Sequence, residues 1–197
     1  MAKHDHDDAA LRPPSQLVLS DFMLRALSPA DAELLRAALV ASEAHLRRWT
    51  PWVVDGRVPG QSLEERLAHH AAKFAAGEEW VYGLLDLRAG EMIGGCGLYP
   101  RVGPGAIEIG YWIAVGHTGR GLATRAAWAL TEIAFGSPTI ERIEIRCDHG
   151  NAPSARVPQR LGYRIMDPAP ANAATNLQVW TLSRAEFAAR ASPIPGH

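Results

Sequence analysis

Cysteine is nearly absent: the 197 residues include two, Cys96 and Cys147. These are too few and too far apart for a disulfide framework or a zinc site, and both read as small buried residues of strands. Neither sign of charge prevails, since 20 lysines and arginines face 21 acids for a formal net charge of -1. That excludes the basic footprint of a general nucleic-acid binder. No apolar run approaches the roughly 18 residues that a membrane span requires. The start, Met-Ala-Lys-His-Asp-His-Asp-Asp, lacks the apolar core of a secretion signal. The expectation is therefore a soluble cytoplasmic protein with neither membrane nor nucleic acid as a partner. Lysine itself is scarce, with Lys3 and Lys73 alone beside 18 arginines. Together with abundant alanine and proline, this reads as the coding bias of a GC-rich bacterium rather than as function. His4 and His6 belong to a solvated tail by composition, not to a metal site.

What is present suffices for one core, with 47% apolar residues spread over a single expected domain. Residues 1–15, with Pro13 and Pro14, are expected to form a disordered tail, residues 16–190 the domain, and residues 191–197 a second loose tail. The pattern predicts a strand over 17–26, a helix capped by Ser28 and Pro29 and running to about Ser42, and a second helix over 62–76 with Leu63, Leu67, His70 and Ala71 on one face. Strands over 80–87, 91–99 and 106–115, joined by short Gly-bearing turns, form an antiparallel meander. A helix ending near Phe135 and a strand over 142–147 follow, and that strand returns across the helix to lie parallel to the 106–115 strand. A helix opened by Asn151, strands near Tyr163 and Gln178 and a short helix over 183–189 complete a mixed α/β fold, a mostly antiparallel sheet covered by helices. Pro158 is expected to kink or break the helix after Asn151.

The most informative stretch is Glu108-Ile-Gly-Tyr-Trp-Ile-Ala-Val-Gly-His-Thr-Gly-Arg-Gly-Leu-Ala-Thr124, a strand that empties through a Gly-rich turn into a helix. Gly116, Gly119 and Gly121 let the chain turn with N–H groups pointing inward, and the helix adds unpaired N–H groups and the positive end of its dipole. This is a cradle for a phosphate-bearing molecule. A Walker P-loop is excluded, because Leu122-Ala123 stands where Lys-Ser or Lys-Thr is needed. A dinucleotide turn, with Asp148 as its ribose acid, fits less well: the spacing is Gly-x-x-Gly-x-Gly, and hairpin strands rather than a first βαβ unit lie upstream.

A second motif, Asn151-Ala-Pro-Ser154 followed by Leu161-Gly162-Tyr163, accompanies the turn. The pair resembles the GNAT superfamily of N-acetyltransferases, whose signature is Gln/Arg-x-x-Gly-x-Gly/Ala and, downstream, Asn-x-x-Ser before a helix ending in Leu-Gly-Phe/Tyr. Thr118 stands at the signature's first position, a departure that leaves the backbone cradle intact. The likeness is nearest to the branch of the ribosomal-protein alanine N-terminal acetyltransferases (RimJ/RimL type). It extends over Leu24-Arg25, Ser28-Pro29-Ala-Asp31, His45-Leu46-Arg-Arg-Trp49-Thr-Pro51-Trp52, Ile109-Gly110-Tyr111-Trp112 and Val179-Trp180-Thr-Leu182.

The resemblance implies a fold whose central strands splay, with helices on both faces. It implies acetyl-CoA as cosubstrate, no metal, and direct attack of a primary amine in a ternary complex. The backbone of Ile113, Ala114 and Val115 would pair with the pantetheine arm and polarise the carbonyl, and Thr118, Gly119, Arg120, Gly121, Leu122, Ala123 and Thr124 would hold the pyrophosphate. Asn151 would orient the cofactor. Ser154 matches the position that donates a proton to the departing thiolate, although Asn151 and Ser154 also read as a helix N-terminus. For the base, Glu108 and Glu144 lie on the two splaying strands; Glu108 is favoured, and Tyr111 is the reserve for either proton role. Alternation puts Glu108, Gly110 and Trp112 on one face and Ile109, Tyr111 and Ile113 on the other.

Trp49 and Trp52 either wall the amine pocket or close the core, and substrate recognition is expected in 47–57 and 101–105. Cys147, if its strand end faces the thioester, can form a mixed disulfide with coenzyme A under oxidation. His117 and His149 sit in turns and read as solvated. Two other readings stay open: a non-catalytic coenzyme A sensing module, argued from Thr118, and transfer of succinyl or another acyl group, which requires a basic residue such as Arg101 near the acyl end. An exposed sheet edge near the C-terminal strands is the expected surface for a homodimer.

Overall fold

The computed structural model describes residues 10–50, 62–167, 174 and 176–189. The expected first strand is two: β1 (Gln16–Leu19) and β2 (Phe22–Ala26) pair antiparallel with Leu19 opposite Phe22. The break comes at Ser20, at φ 55°, a left-handed turn residue that the apolar pattern does not announce. The tail is also shorter than expected, because Tyr82 Oη donates to Pro14 O at 2.9 Å and Ala26 N–H to Ser15 O at 2.8 Å. Residues 1–9 and the C-terminal tail lie outside the described residues.

Ser28 and Pro29 open a short 3-10 turn (Pro29–Asp31) that leads into α1 (Ala32–Leu46), one turn longer than the sequence suggested. Helix α2 (Leu63–Ala76) starts from Ser62, whose Oγ accepts the Glu65 N–H at 3.1 Å while the Glu65 carboxylate accepts the Ser62 N–H at 2.9 Å. This reciprocal cap fixes where the helix begins, and Gly77 at φ 73° ends it.

Strands β3 (Trp80–Asp86), β4 (Met92–Tyr99) and β5 (Ala106–Ile113) form the expected meander. Helix α3 (Leu122–Gly136) crosses to β6 (Arg142–Asp148), which runs parallel to β5. Helix α4 (Ala152–Arg160), β7 (Arg164–Ile165), β8 (Leu177–Ser183) and α5 (Arg184–Ala188) follow. The eight strands lie in the order β1-β2-β3-β4-β5-β6-β8-β7, a mixed and mostly antiparallel sheet.

Helices cover both faces. On one, Leu39 of α1 and Leu67 of α2 pack with Val81 and Leu85 of β3. On the other, Ala126 and Leu130 of α3 pack over Ile107, Ile109, Ile143 and Ile145. Burying each such Leu or Ile contributes roughly 1.5–3 kcal/mol. Arg184 of α5 ties the end of α3 to this face, donating to Phe135 O in its last turn at 2.9 Å and to Ser137 O and Ile140 O just beyond it.

The feature that positions the site is a short ladder. Strands β5 and β6 pair only through Ala106, Ile107 and Glu108 with Arg142, Ile143 and Glu144. Beyond that level β6 keeps its β8 partner and β5 its β4 partner, and the two central strands splay. Helix α4 does not break at Pro158 but continues to Arg160. Proline has no N–H to give to Ser154 O four residues earlier, and the Tyr111 hydroxyl donates there instead, at 2.9 Å. A side chain of β5 thus fills the gap that a proline opens in α4.

Candidate active site

The splay divides the site into two halves. The first begins where β5 ends. Gly119 (φ 78°) and Gly121 (φ 73°) occupy the left-handed region, and a Cβ at either would meet nothing within 4 Å. They are required for backbone conformation, not for room. Gly116, by contrast, sits in a 3-10 turn (Val115–His117) without a positive φ and with open space around it, so the tight turn rests on two glycines rather than three. Helix α3 starts at Gly121 with no side-chain cap, and Arg125 N–H makes its bond to Gly121 O. The first-turn N–H groups of Leu122, Ala123 and Thr124 therefore have no acceptor from within the helix. This geometry fits a phosphate-bearing ligand.

The side chains around the cradle brace it. Thr118 Oγ1 turns back to donate to Val115 O at 3.1 Å, so at the position where the signature has Gln or Arg the side chain closes the turn. Arg120 lies 2.9 Å from His117 Nδ1 and 3.6 Å from Asp21 of the β1–β2 turn. Arg125 pairs with the same Asp21 at 2.5 Å, and its hydrogen bond is the first cause that lowers the Asp21 carboxyl below its ordinary value. His149 is exposed.

Two of the three expected pantetheine contacts have engaged N–H groups. Ala114 N–H donates to Ile93 O at 3.0 Å, and Val115 N–H to the buried Ser42 Oγ at 3.0 Å. Alternation then turns the backbone groups of Ile113 and Tyr111 toward the open side of β5.

At the mouth of the splay the structure brings together the two expected proton donors. Ser154 Oγ lies 3.3 Å from Tyr111 Oη, donating to it, while Tyr111 donates to Ser154 O. Burial pushes the Tyr111 hydroxyl up, against the Ser154 hydrogen bond that lowers it. Asn151 Oδ1 accepts the Ser154 N–H at 3.1 Å, the N-cap of α4. Cys147 is buried beside Ser154 and Trp180; burial raises its thiol above the ordinary value, and both neighbours pull the other way.

The second half is a cleft of about 630 Å3 on the α1–α2 face. Its floor is glycine. Gly83 pairs with Gly95 and Gly97 with Gly110 across β3, β4 and β5; Trp112 takes the space beside Gly95, Tyr99 that beside Gly97 and Gly110, and Met92 and Leu27 that beside Gly83. A Cβ on Gly95 would come 2.5 Å from Trp112 Nε1, and one on Gly97 would come 2.8 Å from Tyr99 Oη and 2.9 Å from Trp80 O. The walls carry Arg101, Glu108, Arg146, His70, Glu79 and Trp49. Trp49 sits under Arg48, 4.5 Å from its guanidinium carbon, and within 3.6 Å of where a Gly150 Cβ would lie, so it spans from the end of α1 to the turn after β6. Trp52 and the rest of the 51–57 segment lie outside the described residues.

Glu108 and Glu144 face each other in the short ladder, and guanidinium groups hold both. Arg101 donates to the two Glu108 oxygens at 2.9 and 2.7 Å. Arg142 and Arg146 donate to Glu144, which is 1% exposed, at 3.0 and 2.8 Å. Alternation along β5 is as expected, with Glu108, Gly110 and Trp112 on the cleft side and Ile109 in the α3 core. Sequence reasoning missed His70 and Glu79, and no motif marks them.

Comparison with known proteins bears on the family and the fold. The family description "Acetyltransferase (GNAT) domain" matches residues 21–164. A Bacillus subtilis (strain 168) protein named "Putative ribosomal N-acetyltransferase YdaF" is 30% identical over 146 residues, 71% of this chain and 76% of that protein. Among solved structures, the ribosomal-protein-S5-alanine acetyltransferase of Vibrio fischeri superposes with a TM-score of 0.74 at 16% identity, covering 88% of this chain and 99% of that one. RimL, a ribosomal L7/L12 α-N-protein acetyltransferase solved with coenzyme A in disulfide linkage to one of its own cysteines, gives 0.70 at 18% identity, covering 85% and 96%. At such identities the two structures speak for the fold.

Proposed function

The chain belongs to the GNAT acetyltransferase family, and from that premise we propose that it moves an acetyl group from acetyl-CoA to a primary amine, a protein N-terminus or a small-molecule amine, by direct attack in a ternary complex. One observation carries the reading. The Gly119–Gly121 cradle, the unpaired edge of β5 and the Tyr111–Ser154 hydroxyl pair line up along the splay, in the order in which pyrophosphate, pantetheine and sulfur follow one another in the cofactor.

Acetyl-CoA supplies the thioester carbonyl that the amine attacks. The chain's residues do the rest. The cradle holds the phosphates through backbone N–H groups, and Ile113 and Tyr111 offer main-chain partners to the arm. The Tyr111–Ser154 pair returns a proton to sulfur; Tyr111 is held neutral by burial and so keeps its proton to give. Asn151 holds Ser154 in place. Glu108, with both oxygens on Arg101, orders the wall of the amine cleft. That Glu108 also abstracts the amine's proton is the less favoured role, because both of its oxygens are already engaged by the Arg101 guanidinium.

The test is calorimetry with acetyl-CoA, followed by thiol release from acetyl-CoA with a panel of N-terminal peptides and amines. Binding with turnover is expected. Tight binding with no turnover across the panel returns the sensing-module reading.

A further inference from the structure

Two groups in the amine cleft have no part in the scheme above. His70 projects from the middle of α2, and its Nδ1 lies 3.0 Å from Glu79 Oε1. Glu79 stands between α2 and β3 and takes Lys73 Nζ on its other oxygen at 3.3 Å. The two side chains are only 14% and 17% exposed, and both line the same cleft as Tyr111, Tyr99 and Glu108. With the carboxylate accepting, Nδ1 carries the proton, so the Nε2 lone pair is left for a partner. The two acids on the splaying strands, in contrast, are held by arginines.

We infer that His70, oriented by Glu79, is the general base that takes the proton from the acceptor amine. The inference rests on the acetyltransferase reading and names the residue that completes it. In the step, Nε2 of His70 takes one proton from the acceptor's ammonium group. The freed lone pair forms the C–N bond to the thioester carbonyl carbon. The C–S bond breaks with its electron pair leaving on sulfur, and the nitrogen's second proton returns to the thiolate through the Tyr111–Ser154 pair. His70 then releases its proton to water, and the amide and free thiol leave.

A base must be unprotonated at the working pH. Burial and then the charge of Arg66 push the His70 imidazole below its ordinary value, while Glu79 pulls the other way and His69 adds a smaller lowering. On its own helix His70 thus faces Arg66, His69 and Lys73, and from the following loop Glu79. Across the cleft stand Tyr99, Arg101, Glu108 and Arg146.

The test uses the full chain, as wild type, His70→Gln, His70→Asn and Glu79→Gln. Each is measured for acetyl-CoA affinity by calorimetry, for thiol release against pH, and by nitrogen NMR of the imidazole. His70→Gln is expected to keep the acetyl-CoA affinity within about twofold and to lose about 10²-fold or more in kcat. The acidic limb of its kcat/KM profile should vanish. Glu79→Gln should lose about tenfold and shift that limb. Wild-type NMR should find His70 neutral at pH 7 with Nε2 bare, a readout that needs neither turnover nor a variant. Retention of kcat and of the acidic limb in His70→Gln, or a doubly protonated His70 at pH 7, overturns the inference and leaves the transferase standing. Failure of wild type to bind acetyl-CoA, or to release thiol with any amine, overturns the transferase reading and this inference with it.

Discussion

The two halves of the site are built from different material. The cofactor half is backbone: a strand edge without a partner, two glycines at φ 78° and 73°, and the first turn of α3, all within one continuous stretch of chain. The acceptor half is side chains. His70 and Glu79 come from α2 and its exit, Tyr99 and Arg101 from the end of β4, Glu108 and Trp112 from β5, and Arg146 from β6. On the proposed function, a backbone cradle recognises what every substrate pair has in common, the cofactor, through main-chain N–H groups, and Thr118 in the signature position closes the turn. A side-chain cleft recognises what differs, the amine, so the two halves are separable by mutation.

The largest separation is expected at their junction. Tyr111→Phe removes a hydroxyl that donates to Ser154 O and lies 3.3 Å from Ser154 Oγ. We expect kcat to fall about 10²-fold and stability by about 1–3 kcal/mol, because a carbonyl that Pro158 leaves unpaired loses its donor. Adding Pro158→Ala supplies a helical N–H to that carbonyl. The double variant should regain the stability in thermal melts while kcat stays low. Recovery of kcat as well would make Tyr111 a purely structural residue.

Next comes the acceptor half alone. Gly97→Ala places a Cβ 2.8 Å from Tyr99 Oη and 2.9 Å from the Trp80 carbonyl oxygen, and a backbone oxygen within a sheet cannot step aside. Overpacking of this kind costs about 1–3 kcal/mol. The acceptor KM should rise as Tyr99 tilts into the cleft, with acetyl-CoA affinity held. The cofactor half answers with Gly121→Ala, which must adopt φ 73° at a cost of roughly 1–2 kcal/mol. Acetyl-CoA affinity should weaken by about tenfold, and the acceptor KM should not change. If either variant moved both constants equally, the halves would be one.

Outside both halves lies the smallest effect. Glu186 caps α5, and its carboxyl is lowered to about 2 by the Ser183 hydroxyl, the Ser183 N–H and Arg164. A folded value below the unfolded one, roughly 4.3, gives stability that is full above the unfolded value and is lost as pH falls toward about 2. The side chain is 32% exposed and its partner Arg164 lies at the surface, so solvent screens the pair and a shift of a few degrees at most in the acid melt is expected, removed by Glu186→Gln, with both binding constants untouched at neutral pH.

The same division decided what could be read in advance. Gly119, Gly121, Asn151 and Ser154 carry their geometry in their residue types, since only glycine takes those φ values freely and Asn caps a helix three residues before a free N–H. The start of α2 was read from its apolar face alone; the reciprocal Ser62–Glu65 cap that fixes it is a pattern of residue types of the same readable kind. Ser20 did not, because a non-glycine residue at φ 55° is set by the two strands it joins. His70 sat on one face of α2 with Leu63, Leu67 and Ala71 and drew no functional reading. Its role depends on Glu79, nine positions away and across a turn, and on a floor of glycines that in sequence look only like weak strand residues. Contacts that bridge distant elements leave no local period, so the acceptor half became legible only in three dimensions.

The central claim is that an acetyl-CoA site exists and is separable from the amine cleft. Calorimetric titration of acetyl-CoA into wild type, Gly121→Ala and Gly97→Ala tests it most directly. One site per chain is expected in wild type, with affinity about tenfold weaker in Gly121→Ala and unchanged in Gly97→Ala. An absence of binding in wild type, or equal weakening in both variants, would contradict it.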